Sequence, residues 1–323
     1  MPFSSLQARI SRLPSPGRRL QLGVAVAVVT TQALIAMTGA IVRVTGSGLG
    51  CPTWPECFPG SMVPVEHPEY DTLNQWIEYG NRLFTGVVGI IAGAAMILAI
   101  LHKPRDRRYL RLGIAMPVGV VVQAVLGGIT VRLDLVWWSV AVHLLASTVM
   151  VWLATLFVHS VPRDGVPATP PAVNKTLATW LSVQTVLLVG ILVTGTMVTG
   201  AGPHGGDPAT PRLDIPVETL AHVHAAFLYT FLGSLVLLGF HLRGTTNPPW
   251  RRYQILLAVV LAQGTIGLVQ FWTGVPEMLV SLHVLGAMSV IVATASLWCG
   301  VRDRDIATRK GDAGIVAKEP QTT

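Results

Sequence analysis

The chain has 323 residues, of which 51% are hydrophobic and only 12% are charged, and its mean hydropathy is +0.57. This charged fraction is about half that of an ordinary soluble domain, so the composition excludes a disordered protein and argues against a soluble globule. Long charge-free stretches predict a polytopic helical membrane protein. The net charge of +7 does not indicate nucleic-acid binding, because the basic residues are concentrated in alternate connections between these stretches.

Eight apolar stretches are each close to the roughly 20 residues that cross a bilayer. They cover 22–44, 79–101, 112–131, 139–160, 177–199, 219–240, 253–272 and 279–300. The short alternating segments of a membrane β-barrel do not occur. The first stretch follows several arginines and precedes no small-residue cleavage site, so we expect a retained helix, with a signal peptide as the alternative.

Lysine and arginine are distributed asymmetrically among the connections. The two tails and the connections on their side carry 19 of these residues. The opposite side carries only Arg43, Arg82, Arg132 and Arg212. Because an excess of Lys and Arg marks the cytoplasmic side, both termini are predicted to be cytoplasmic. The outer side has two long loops, 45–78 and 200–218, and long loops in a compact protein indicate function.

The sequence contains signs of an internal repeat. Three pairs of residues are 140 positions apart: Gln123 and Gln263, Gly127 and Gly267, and His143 and His283. The end of the first span, IVRVTGSGLG, also corresponds to the end of the fifth, TMVTGAGPHGG. These matches predict two four-helix halves in tandem with the same orientation, and the alternative is chance similarity among apolar segments.

The predicted fold is therefore an all-α integral membrane protein with eight transmembrane helices in two pseudo-symmetric four-helix bundles. We expect five segments in chain order. They are a cytoplasmic tail (1–20), an N-terminal bundle (21–160), a cytoplasmic linker (161–176), a C-terminal bundle (177–302) and a disordered cytoplasmic tail (303–323).

Three histidines lie at one predicted depth in the membrane. Each lies six residues after a residue at the outer interface: His143 after Trp137, His224 after Glu218 and His283 after Glu277. Six residues correspond to about 9 Å below the outer surface at the helical rise. The second span has Asn81 at the matching position. Ionisable residues inside spans are costly and indicate function by default, whereas hydrogen bonding between helices is the alternative interpretation.

Two imidazoles at equal depth on facing helices are the requirement of an axially ligated heme. His224 and His283 supply a complete pair in the second half, with His222 as a rival to His224. The first half supplies only His143, because Asn81 replaces its partner. One half is thus predicted to hold a cofactor, and the other to act on a substrate whose iron keeps an open or weakly held position.

Two further features belong to the outer side of the first half. Glu78 opens the predicted second span with Arg82 one turn later, which suits either a stabilising ion pair at a helix N-terminus or a carboxylate that handles protons. Cys51 and Cys57 lie within CPTWPEC in the first outer loop. A disulfide is expected there because the outside is oxidising, and it has either a structural or a redox role.

These motifs resemble those of heme A synthases, the membrane enzymes that make heme A from heme O. The resemblance covers roughly residues 20–300. It rests on the loop VTGSGLGCPTWPEC, on EYGNR with Glu78 and Arg82, on VHLLAST with His143 and on LHVLGA with His283. The loop is highly specific, whereas single membrane histidines are not.

The resemblance implies that the chain oxidises the C8 methyl group of heme O to a formyl group through successive hydroxylations. It implies heme b between His224 and His283 in the C-terminal bundle, and the substrate heme on His143 in the N-terminal bundle. The essential glutamate of the family falls on Glu78, and Asn81 stands where many members have a second histidine.

The resemblance also implies a disulfide between Cys51 and Cys57 and a place in the plasma membrane, with active sites toward the outer face. The implied partners are membrane lipid, the farnesyl-transferring heme O synthase and the assembly factors of aa3-type cytochrome oxidases. A second departure from the family is Ala225, where many members have Arg, and it leaves His222 open as a ligand.

Three functions are compatible with the pattern. They are a heme-modifying oxidase, a diheme membrane cytochrome b that carries electrons without substrate chemistry, and a transporter with broken helices near the midplane. The first accounts for the half-site, the carboxylate and the cysteine pair together. The sequence identifies neither the electron donor nor the oxygen source, and it leaves homo-oligomer formation open.

Overall fold

The computed structural model describes residues 13–163, 175–243 and 249–301 with their side chains and follows the backbone of the last helix to residue 316. Within these residues, eight helices are long and apolar enough to cross a membrane. The same residues contain no β-strand, and their one isolated bridge joins Phe58 and Ser61. The predicted all-α fold with eight spans is confirmed.

The helices are α1 Arg18–Val44, α2 Thr72–Leu101, α3 Arg107–Arg132, α4 Trp137–Ser160, α5 Lys175–Ala201, α6 Val217–Leu242, α7 Pro249–Trp272 and α8 Glu277–Val316. Each is continuous, so the broken helices that a transporter predicts are not found in the described spans. Residues 164–174 and 317–323 lie outside the described residues. The linker and the disordered tail at 303–323 therefore stay predictions, although α8 runs to Val316.

The start of α2 differs from the prediction. The helix begins at Thr72, because the side chain of Asp71 accepts a hydrogen bond from the Asn74 N–H at 3.0 Å and caps it. Its first two turns are too polar to be recognised by hydropathy. Glu78 thus lies nearly two turns inside α2, so the expectation that it opens the helix is wrong, and stabilisation by the helix N-terminus does not apply.

The connections define two faces of the molecule. We call the end that carries 45–71, 133–136, 202–216 and 273–276 the disulfide face, and the opposite end the tail face. His143, His224 and His283 all lie in helical turns near the disulfide face. That the disulfide face is the outer one follows from the charge distribution and stays a prediction.

Each half has its own apolar core. One cluster of buried residues joins α1 to α4, and a second joins α5 to α8 and includes Ala36 of α1 and Val151 of α4. Small residues allow close helix contact in the first half. A Cβ at Gly113 would lie 2.6 Å from the Cβ of Ala99, so α2 and α3 could not approach as they do with a larger residue at position 113.

The halves meet through equivalent pairs of helices. α1 packs on α8, α5 packs on α4, and α4 and α8 contact each other directly. This pattern has the symmetry expected of a tandem repeat. Within the halves, however, α5 packs against α8 less closely than α1 packs against α4. The second half is therefore the more open bundle.

Candidate functional site

His224 is held in a fixed orientation by the neighbouring helix α5. Its Nδ1 atom lies 3.0 Å from the carbonyl oxygen of Ile191 and 3.2 Å from the hydroxyl of Thr194. A carbonyl can only accept, so the bond to Ile191 requires the proton on Nδ1. Nε2 then keeps its lone pair, which is the usual arrangement of a metal-binding histidine.

His283 approaches the same region from α8. His224 and His283 are close enough for their charges to interact. The Nδ1 atom of His283 is buried and has no hydrogen-bond partner among the described residues. A buried polar atom without a partner is costly, so this ring is oriented by packing rather than by a hydrogen bond.

A glycine of the adjacent helix faces each of these imidazoles. A Cβ at Gly195 would lie 3.2 Å from Cε1 of His224, and one at Gly267 would lie 2.9 Å from Cε1 of His283. Only glycine lets the neighbouring backbone accept the His283 ring this closely. The repeated glycine found in the sequence thus makes room for a ring.

The second-half residues fit a heme. Two imidazoles from facing helices can supply both axial ligands, the glycines leave space for the rings, and the loose contact between α5 and α8 leaves the bundle open. His222 is exposed on α6, whereas His224 is partly buried and hydrogen-bonded to α5. This difference favours His224 over His222 as the ligand.

The first half has an equivalent Thr-Gly pair on α1, and we call each such pair, with the side chain that it contacts, a frame. In the first half the contacted side chain is a different one. Thr38 and Gly39 of α1 correspond to Thr194 and Gly195 of α5. The Thr38 hydroxyl donates to Oδ1 of Asn81 at 2.7 Å, just as Thr194 contacts His224. Asn81 therefore occupies the structural place of His224, as the sequence predicted from depth.

His143 lies across the first half from this frame. Its ring faces Gly127, where a Cβ would be 3.5 Å from Cε1, an ordinary contact. The Nδ1 atom of His143 is buried without a partner among the described residues, and so are both amide atoms of Gln123. In the second half, Gln263 donates to the backbone oxygen of His283 at 2.8 Å. The Gln263 Oε1 atom has no partner among the described residues either, so the halves differ in that both polar atoms of Gln123 are unpaired, which suits a site for a ligand.

Glu78 is part of a hydrogen-bond network with Arg82. The carboxylate is 5% exposed and accepts from the Cys51 N–H at 2.8 Å and from two guanidinium nitrogens of Arg82 at 3.1 and 2.5 Å. The predicted i,i+4 ion pair is confirmed. Because both partners are largely removed from water, this pair is far better defined than a surface salt bridge.

The same network holds the cysteine loop. Arg82 donates to the carbonyl oxygens of Cys51, Thr53 and Glu56 at 3.0, 2.9 and 3.2 Å. Cys51 and Cys57 are joined by a disulfide, as predicted, and both are fully buried. The loop 51–57 is therefore held on α2 by the pair Glu78 and Arg82.

Trp54 connects this loop to α3. Its indole packs against Gly128, where a Cβ would overlap the ring. Arg132 donates to the Trp54 carbonyl oxygen at 3.0 Å. Trp54 contacts Gly128 of α3, and the preceding residue, Gly127, contacts the His143 ring. Trp54 therefore lies on α3 one residue away from the contact with His143. The loop therefore connects α2 to α3 at the disulfide-face end of the first half.

The structure brings together most of the residues predicted from the sequence. Glu78, Arg82 and the cysteine pair form one network, and His224 and His283 lie near each other. Sequence reasoning missed the roles of Trp54, Thr38 and Thr194. The Thr-Gly pairs at equivalent places in α1 and α5 were the available signal, whereas nothing in the sequence marks the position of the Trp54 ring.

Comparison with known proteins identifies relatives. The sequence profile of the cytochrome oxidase assembly protein family matches residues 22–203, more than half of the chain. A 73-residue segment, 23% of this chain and 21% of the relative, is 36% identical to a heme A synthase of Geobacillus kaustophilus. A 215-residue match at 27% identity covers 64% of this chain and 68% of a heme A synthase of Halalkalibacterium halodurans.

A third relative is a heme A synthase of Shewanella oneidensis, which is 28% identical over 175 residues, 50% of this chain and 52% of that protein. The matched segments thus span about a fifth of the Geobacillus protein and about half of the Shewanella protein. The family match includes the disulfide loop, Glu78, Asn81 and His143. On this evidence the chain belongs to the family of cytochrome oxidase assembly proteins, and the resemblance to heme A synthases predicted from its sequence is confirmed.

Proposed function

We propose that the protein is a heme A synthase, which oxidises the C8 methyl group of heme O to a formyl group. The proposal rests on one observation, which is that two similar frames contain different side chains. One half has the histidine pair His224 and His283, and the other has His143 together with Asn81, which meets Thr38 as His224 meets Thr194. The relatives named heme A synthase support the same activity.

In this proposal His224 and His283 would hold heme b in the second half. The bound group would supply electron transfer there rather than a place for a substrate. The contact of His224 with Ile191 and Thr194 keeps its Nε2 directed away from α5. The role of this half is electron transfer.

The first half is proposed to bind heme O as the substrate, with His143 as the iron ligand. Asn81 supplies no strong ligand, since its Oδ1 accepts from Thr38. The unsatisfied amide of Gln123 is available to a bound group. Trp54 and the 51–57 loop close the disulfide-face end of the bundle, which keeps bulk water from the reacting methyl group.

Glu78 is proposed as the catalytic carboxylate. Two successive hydroxylations by an external oxidant such as O2 convert the methyl group into a gem-diol, which loses water to give the formyl group, so a carboxylate near the site can accept and return the protons that these steps exchange. Arg82 and the Cys51 N–H hold the Glu78 carboxylate in one orientation under the loop. The pair thus has two roles, because the contacts that orient the carboxylate also fasten the loop.

The remaining parts of the proposal concern the cellular setting. The protein would lie in the plasma membrane with its sites toward the outer face, as a multi-pass protein with eight spans. Its partners would be membrane lipid, the heme O synthase that supplies the substrate and the assembly factors that pass heme A to cytochrome oxidase. The electron donor and homo-oligomer formation are left open.

The proposal is tested by co-expression of the chain with a heme O synthase, followed by chromatography of the extracted hemes. We expect heme A in the wild type and only heme O in a strain that lacks the chain. Two equivalents of heme b per chain with no heme A would instead identify a diheme cytochrome b. Pigment analysis of the purified protein thus separates the two functions in one preparation.

A further inference from the structure

Arg43 is a charged residue near the disulfide-face end of α1, where α1 meets α5. Its guanidinium donates to the carbonyl oxygen of Thr199 on α5. Its Nε atom is buried and has no hydrogen-bond partner in the part of the chain that the structure describes. A guanidinium has five donors in a planar fork, so a single carbonyl contact leaves it far from satisfied.

A second guanidinium lies beside it. Arg212 is in the 202–216 connection and is close enough to Arg43 for the two positive charges to repel each other. Arg212 donates to the Pro203 carbonyl oxygen at 2.8 Å and packs across Gly205, where any side chain would overlap the guanidinium. Two like charges are thus held together by the fold.

Neither arginine forms an ion pair with a carboxylate of the described residues, which include all four connections of the disulfide face. Two adjacent, partly desolvated cations without a counter-charge are unfavourable, because a buried charge needs a partner of opposite sign. The arrangement is complete only when an anion from outside the chain joins it.

The position of the pair indicates which anion this is. Thr199 lies five residues beyond Thr194, the residue that contacts His224, and so about 7.5 Å nearer the disulfide face at the helical rise. Arg43 also lies two turns from Ala36, which packs into the core of the second half. The guanidiniums are therefore placed toward the surface from the His224 and His283 site.

We infer that Arg43 and Arg212 bind a propionate carboxylate of the heme held by His224 and His283. This inference rests on the second-half heme of the proposed function and adds a site to it. Guanidinium and carboxylate match in charge and in bidentate geometry. The first half thereby contributes a residue, Arg43, to the cofactor site of the second half, so the two bundles share the cofactor.

The test compares heme release from full-length protein in lipid nanodiscs, with excess apomyoglobin as the acceptor. The variants are Arg43→Gln, Arg212→Gln and the double variant. The control is Arg251→Gln, which removes an exposed positive charge at the tail-face start of α7. We expect each arginine variant to release heme b about tenfold faster, as for loss of a charge-assisted hydrogen bond, and the control to match the wild type.

A second comparison identifies the carboxylate. Apoprotein from heme-depleted cells is reconstituted with iron protoporphyrin IX or with its dimethyl ester, which has no carboxylate charge. Wild-type protein should release the ester about tenfold faster than the diacid, and the double variant should release both at the same rate. The ester comparison in the wild type decides the question even if Arg43→Gln does not fold.

The outcomes separate this inference from the proposed function. If the wild-type protein retains a low-spin heme but releases the ester and the diacid equally, and the arginine variants release heme b at the wild-type rate, the inference is overturned and the heme site stands. If the wild type retains no low-spin heme, the second-half site of the proposed function fails and the inference fails with it.

Discussion

The two halves of the molecule place different side chains in equivalent frames. In α5 to α8, Thr194 contacts a histidine that faces a second histidine. In α1 to α4, Thr38 donates to Asn81, and His143 has no imidazole at the equivalent place. A single side chain therefore distinguishes the halves at this position, and under the proposed function it separates a cofactor site from a substrate site.

The halves also differ at their disulfide-face ends. The loop of the first half is fastened by Glu78, Arg82 and the disulfide, which together leave Trp54 above α3. The corresponding loop of the second half is held by backbone contacts, such as Leu213 N–H to the Gly200 oxygen at 3.0 Å, and by hydrogen bonds from His204 and Arg212 to carbonyl oxygens. The carboxylate network is thus confined to the half that is proposed to carry out chemistry.

The largest expected effect is loss of the cofactor from the second half. Replacing His283→Ala removes one axial ligand, so we expect no low-spin heme b in the purified protein. Absorption spectra of the reduced and oxidised protein measure this. His222→Ala is the matched control, because His222 is exposed, and it should leave the spectrum unchanged. A low-spin spectrum that survives His283→Ala would remove that ligand from the account.

Next in size is the loss of catalysis from the first half. We expect Glu78→Gln to keep heme b but to lower the conversion of heme O to heme A about a hundredfold, as for loss of a general base. Chromatography of extracted hemes measures the ratio of the two. Arg82→Gln loosens the loop but keeps the carboxylate, so it should retain more activity. If both variants lost the same activity, the role of Glu78 would be only to hold the loop.

A smaller effect follows from the glycines that face the histidines. Gly267→Ala places a Cβ 2.9 Å from His283, whereas Gly127→Ala places one 3.5 Å from His143. Overpacking costs about 1–3 kcal/mol, so only Gly267→Ala should lower the thermal midpoint of the holoprotein and speed heme loss. If both variants lowered the thermal midpoint equally, the two glycines would not differ in how closely they approach the imidazole rings.

The smallest effect concerns the paired glutamines. Gln123→Leu removes two buried atoms that have no partner, so the free energy of unfolding should stay the same or rise by about 1 kcal/mol, while heme O turnover falls. Gln263→Leu removes a hydrogen bond to His283 and should lower stability by about 1 kcal/mol. Thermal unfolding and heme analysis of both variants test whether the two substitutions change the stability in opposite directions. A drop in stability for Gln123→Leu would contradict it.

The sequence predicted the helices and the histidine positions well, because apolar runs and residue depth depend on local spacing. It misplaced the start of α2, since the polar turn from Thr72 to Glu78 is helical through the Asp71 cap rather than through hydrophobicity. Spacing also revealed the ion pair of Glu78 and Arg82, as the two residues are one turn apart.

Contacts between distant segments were beyond prediction. The bonds from Arg82 to the carbonyl oxygens of the 51–57 loop involve backbone atoms that every sequence possesses. The meeting of Arg43 with Arg212 depends on how α1 packs against α5 and on the path of the 202–216 connection. Such sites require the tertiary arrangement of both halves.

The central claim is that the two halves hold hemes with unequal ligation. Electron paramagnetic resonance of the oxidised protein, purified after co-expression with a heme O synthase, tests it most directly when wild type and Asn81→His are compared. We predict one low-spin bis-imidazole heme per wild-type chain, assigned to His224 and His283, and a second such signal once position 81 supplies an imidazole opposite His143. Two bis-imidazole signals in the wild type, or none that depends on His224 and His283, would contradict the account.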